Sequence, residues 1–155
     1  MSDAVAIRRY SIAANLRWFT VALVIISLPL AIVGFVVGRF GSTFELPQAV
    51  AYGFFALAAA IAGRRFAYKS AGQWSHRDRV ALAIGYSLID IVLTSALVAF
   101  VVATAPWAQH LSYDQLWPLL LQGTATKLVA EVVLSFVILT LLAFAMEPEF
   151  KRQAS

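Results

Sequence analysis

Cysteine is absent from the 155 residues. That excludes disulfides, thiolate metal ligands and a cysteine nucleophile. Histidine is scarce: His76 and His110 lie far apart and outside the apolar runs, so one chain offers no pair of intramembrane axial haem ligands. Charge is scarce as well, with 13% of residues ionisable as Asp, Glu, Lys or Arg, against about 25% in an ordinary soluble domain. No internal repeat, low-complexity segment or catalytic, metal or cofactor motif stands out, so neither an enzyme nor a cofactor protein is expected.

What the chain has instead is apolar surface: 61% of its residues are hydrophobic and its mean hydropathy is +0.81. A single small domain leaves much of its surface exposed, so this excess requires lipid as solvent. Four apolar runs stand out, at about 16–38, 47–66, 80–103 and 116–146. A hydrocarbon core of about 30 Å needs roughly 20 helical residues. The second run is short, but Arg64 and Arg65 can snorkel and let its helix continue. The expectation is an all-α, polytopic membrane protein, a single four-helix transmembrane bundle. The first run is too long for a signal-peptide core and reads as a retained helix.

Basic residues set the orientation. Arg8, Arg9 and Arg17, then Arg64, Arg65, Lys69, Arg77 and Arg79, then Lys151 and Arg152 place ten on one side, against Arg39 on the other, with Lys127 inside a span. The positive-inside rule places the ten in the cytoplasm, with both termini inside. The net charge of +4 thus reads as attraction to anionic headgroups, making membrane lipids the partner and not nucleic acid. Ser75 to Asp78 and Ser112 to Gln115 have the form of capping boxes opening the third and fourth helices, and Pro47 suits a first helical turn. Trp18, Trp74, Trp107 and Trp117 fall near span ends, as in an aromatic belt. The basic loop of Arg64, Arg65, Lys69, Arg77 and Arg79 is a topology determinant and lipid anchor, or a docking loop.

Two sets of residues inside the spans ask for an explanation. Ser27, Ala31, Gly34 and Gly38 share one face of the first helix, and the second helix carries a similar set that includes Gly53. In lipid such faces let helices approach closely. They pack the first two helices together, or they face a partner or a second copy. Asp90, Lys127 and Glu131 are charges well inside spans, each costing at least about 2.5–3.5 kcal/mol if unpaired. Lys127 and Glu131 are four apart and can pair on one helix face. Thr124, Lys127, Glu131 and Ser135 form one polar stripe; Ser87, Asp90 and Thr94 form another. The two stripes are expected to meet. Counted from the outer ends, Asp90 lies about 20 Å deep and Glu131 about 22 Å; counted from the cytoplasmic ends they differ by about 7 Å. The cluster is a structural clamp, or a proton or cation site of the kind coupled transporters use.

The run Leu57 to Arg79, with Ala62-Gly63-Arg64-Arg65-Phe66 closing the second helix and Arg79-Val80-Ala81-Leu82-Ala83 opening the third, resembles a family of small proteobacterial membrane proteins. That family has four spans, about this length and no assigned activity. The resemblance implies a four-span fold in the inner membrane and nothing about catalysis. Small multidrug-resistance exporters keep a membrane-embedded glutamate in their first helix, and here the first run holds no acid. The expected role is a non-enzymatic accessory or assembly subunit docking on a larger membrane complex. The alternative is a homo-oligomeric proton-coupled transporter using Asp90 and Glu131.

Overall fold

The computed structural model describes residues 11–39, 48–70, 74–104 and 113–153. These form four α-helices and, among the described residues, no strand: α1 (Ile12–Arg39), α2 (Gln48–Lys69), α3 (His76–Thr104) and α4 (Tyr113–Gln153). Each contains a stretch long and apolar enough to cross a membrane, of 22, 21, 25 and 26 residues respectively. At about 1.5 Å per residue the shortest still covers about 30 Å. The structure is therefore an all-helical bundle of membrane-spanning dimensions. Its outer surface agrees: Ile25 is 64% exposed, Val92 65%, Leu141 62% and Phe144 68%. Water would penalise such a surface, whereas lipid does not.

Local chemistry explains the helix starts. The Ser75 hydroxyl accepts a bond from the Asp78 amide at 3.2 Å, while the Asp78 carboxylate accepts one from the Ser75 amide at 2.8 Å. This reciprocal pair is the capping box opening α3. Ser11 caps α1 in the same sense, its hydroxyl accepting from the Ala14 amide at 3.4 Å. The second box, at Ser112, and Pro47 lie outside the described residues. Pro29 sits inside α1; it brings no amide hydrogen, which leaves the Ile25 carbonyl without its intrahelical donor.

Helix neighbours run α1–α2–α4–α3 around the bundle, each touching the two beside it. Consecutive helices α2 and α3 therefore sit across a diagonal, although only residues 70–75 connect them. α1 runs parallel to α3, and α2 parallel to α4. One end of the bundle, here the base, carries the starts of α1 and α3 and the ends of α2 and α4. The opposite end is the rim.

Among the described residues the core runs from the base to about the level of Asp90 and Glu131. It is built from Phe19 and Leu23 of α1, Phe55, Ala58, Ala59, Ala62 and Phe66 of α2, Leu82, Ala83 and Tyr86 of α3, and Leu139 of α4. Phe19 stacks on Tyr86 with ring centroids 4.2 Å apart and meets Phe55 edge-on at 5.7 Å. Small residues set the close approaches. A Cβ on Gly63 would stand 2.6 Å from Leu139 Cδ2, and one on Gly85 the same distance from Leu16 Cδ2. Among the described residues, nothing rimward of Leu23 on α1, Phe55 on α2, Asp90 on α3 or Glu131 on α4 is buried.

Candidate functional site: a buried ion cluster at the edge of the packed core

Between α3 and α4 the two polar stripes meet. Asp90 and Thr94 are one turn apart on α3; Lys127, Glu131 and Ser135 occupy successive turns of α4. The Lys127 ammonium lies 2.5 Å from Asp90 Oδ2 and donates to Thr94 Oγ1 at 2.9 Å. Thr94 in turn donates to Asp90 Oδ2 at 3.5 Å. The same ammonium is 3.5 Å from Glu131 Oε1. Lys127 is thus shared unequally: a charge-assisted hydrogen bond to Asp90, and a looser ion pair with Glu131 along its own helix.

Burial sharpens the inequality. The Lys127 side chain keeps 28% of its surface, Asp90 13% and Glu131 1%. Both Glu131 carboxylate oxygens are buried with no hydrogen-bond donor, and so is the fully buried Ser135 hydroxyl one turn towards the base. Further along the seam, Arg79 of α3 donates to Thr140 Oγ1 at 3.5 Å, while its Nε is buried without a partner. Every unpartnered buried side-chain polar atom among the described residues belongs to Arg79, Glu131 or Ser135. All of them lie on the faces of α3 and α4 that meet.

The register explains the conflicting depths. Lys127 stands opposite Asp90, and Glu131 lies one turn nearer the base. Arg79, near the start of α3, is level with Thr140, so α4 continues for a further 13 residues to Gln153. That overhang, about 20 Å of helix, is why counting from the basic ends displaces Glu131 from Asp90. No tilt is needed.

Other sequence candidates are placed as follows. Thr124 is half-buried, one turn rimward of Lys127. Ser87 turns inward but donates to the Ala83 carbonyl at 3.0 Å, closing on its own helix. Ser27 is half-buried and Ala31 exposed, while Gly53 has nothing within 4 Å of an added Cβ. Gly34 and Gly38 lie on α1, outside the residues whose surroundings are described. α1 and α2 do pack together, through Phe19, Phe55 and the Ala58–Ala62 face rather than through Ala31 and Gly53. Trp107 and His110 lie outside the described residues, and so do the surroundings of Trp117. In the basic loop, the Arg65 guanidinium lies 3.9 Å from the centre of the Trp18 ring, and Arg64 lies 5.6 Å from that of Tyr68. Lys69 and Arg77 are exposed at the base.

Sequence reasoning missed Asn15. It is fully buried, donates to the Ala62 carbonyl at 2.8 Å, and accepts a bond from the Tyr86 hydroxyl. One side chain thereby ties α1, α2 and α3 at the base. An amide in the first turn of an apolar helix is the signal that points to it, since such a group must find partners in lipid. Among the described residues no three histidine, cysteine or carboxylate side chains converge. An open groove between α1 and α3, lined by Thr20, Leu88, Ile89, Val92 and Leu93, is apolar; its one hydroxyl donates to the Leu16 carbonyl at 3.0 Å. Chemically, the arrangement can fix α3 against α4, accept small apolar groups in the α1–α3 groove, and hold a charge or a proton in the α3–α4 seam. The chain matches no protein-family model, and no curated protein or solved structure matches it.

Proposed function

We propose that this protein is a non-enzymatic accessory or assembly subunit of a larger complex in the bacterial inner membrane, with both termini in the cytoplasm. One observation carries the reading: among the described residues none rimward of Leu23, Phe55, Asp90 or Glu131 is fully buried, although Ile26 and Leu93 still pack in part against the core. A helix from a partner would find the apolar α1–α3 groove at mid-height, or the open surfaces at Gly53 and Ala31 nearer the rim. In lipid, close backbone approach at small residues is what drives such association. The distribution of basic residues supports a cytoplasmic base, and the resemblance to small proteobacterial four-span proteins supports the location.

A second reading has its own support. Lys127 keeps part of its surface at the rimward face of the cluster, as a homo-oligomeric proton-coupled transporter using Asp90 and Glu131 would need. A photo-crosslinking residue at Gly53 or Val92, followed by native mass spectrometry from nanodiscs, separates the two. Adducts to one defined membrane protein are the expected result. Adducts only between copies of this chain would overturn the subunit reading in favour of the transporter.

A further inference from the structure

Glu131 is the residue that the ion pairs leave over. Lys127 sits 1 Å nearer to Asp90 (2.5 Å) than to Glu131 (3.5 Å), and Thr94 supports the Asp90 side alone. With all three groups ionised the set carries one net negative charge, and geometry puts it on Glu131, 1% exposed with neither oxygen receiving a hydrogen bond. An uncompensated carboxylate in such a place is costly. The groups facing it are few. α3 contributes Asp90 and, nearer the base, Arg79 and His76, whose ring meets Phe136 of α4 edge-on at 5.3 Å; α4 contributes Lys127. α2, the other helix against α4, has no charged residue before Arg64.

We propose that Asp90, Lys127 and Glu131 form a proton-binding site, with Glu131 as the exchanging carboxyl and the Ser135–Arg79 side of the seam as its path to the base. Uptake forms one O–H bond on a Glu131 oxygen, turns the arriving hydronium into water, and takes the set from a charge of −1 to zero. Release reverses each change. The new hydroxyl donates to a neighbouring acceptor, which gives Glu131 the hydrogen bond it lacks. Ser135 lies about 6 Å along the helix, and Arg79 is level with Thr140 a further turn away. Their unpartnered polar atoms suit bound water, which satisfies buried groups of this kind and relays protons. On the rim side Lys127 stands between Glu131 and the part of the cluster that keeps some exposure, so its cation opposes a proton arriving that way and the Ser135–Arg79 side is the path taken. None of this depends on whether a partner docks at the rim.

Infrared difference spectroscopy on the full chain in lipid nanodiscs, titrated in water and in deuterium oxide, tests the proposal. A carboxylic-acid band that grows as pH falls and shifts in deuterium oxide is expected, with its loss in Glu131→Gln. Lys127→Met, which leaves two carboxylates without a cation, should roughly double the band. Ser135→Ala should keep the band and slow its deuterium shift. Absence of any such band across the titration, its survival in Glu131→Gln, or a band that never exchanges would each overturn the proposal. Should Glu131→Gln fail to fold, the wild-type titration and the Lys127→Met and Ser135→Ala spectra still decide it.

Discussion

Replacing Lys127 by methionine keeps the length of the side chain and removes the cation that two buried carboxylates share. The lost contacts are the 2.5 Å pair with Asp90, the 2.9 Å bond to Thr94 and the 3.5 Å pair with Glu131. Two magnitudes bracket the cost. Breaking a fully buried ion pair by removing one partner costs about 3–5 kcal/mol, whereas interhelical polar contacts in membrane proteins average about 0.6 kcal/mol. Lys127 keeps 28% of its side-chain surface, which moves the expectation below the first figure, to about 2–3 kcal/mol. Asp90→Asn should cost less, about 1 kcal/mol, because Lys127 can then turn to Glu131 and leave no net charge. The asymmetry is the sharper test. Steric trapping in bicelles, or reversible unfolding in mixed micelles followed by circular dichroism, measures both variants. If Asp90→Asn is as destabilising as Lys127→Met, the shared-cation reasoning is wrong and the site holds α3 to α4 by shape alone.

The remaining variants probe the base. Asn15→Ala leaves the Ala62 carbonyl without its side-chain donor and the Tyr86 hydroxyl without this acceptor, and should cost about 1–3 kcal/mol by the same unfolding assay. Gly63→Leu drives a side chain into Leu139 and Leu142; overpacking of about 1–3 kcal/mol should separate α2 from α4, seen as a loss of disulfide trapping between cysteines introduced on the two helices. Ser75→Ala removes the α3 cap and should cost about 1 kcal/mol, with faster amide exchange confined to the first turn of α3.

The four spans were legible because each apolar run is long and bounded by charge, and because lipid forces the backbone of such a run into a helix. The meeting of Asp90, Lys127 and Glu131 was legible for a related reason. Polar residues at helical spacing inside a span share one face, and two such faces avoid lipid by facing each other. The order α1–α2–α4–α3 was not legible. These helices are apolar on nearly every side, so no amphipathic stripe tells the core face from the lipid face. Arg65 stacked on Trp18 escaped notice because it joins two helix ends whose adjacency depends on that order. The register of α3 against α4 was hidden by the length of α4: an end set by a charged tail does not mark the level at which its neighbour begins.

What packs the described residues most tightly towards the base follows from the same physics. Apolar side chains gain little from one another in lipid, since the acyl chains are equally good neighbours. A membrane bundle therefore closes where polar contacts or small residues hold its helices together. Here those devices are the Asn15 bridge to Ala62 and Tyr86, the close approaches at Gly63 and Gly85, the Arg79–Thr140 bond, and the Asp90–Lys127–Glu131 cluster. Each lies at or towards the base from the level of Asp90. Beside it the described residues of α1 and α3 are mostly aliphatic, with Thr20, Leu88, Ile89, Val92 and Leu93 lining a groove between the two helices at about the level of Asp90. Of these ties the ion cluster stands farthest from the base. A variant that loses it should loosen the α3–α4 seam towards the base, and a partner that supplies its own small or polar residues should dock rimward of it without altering the base.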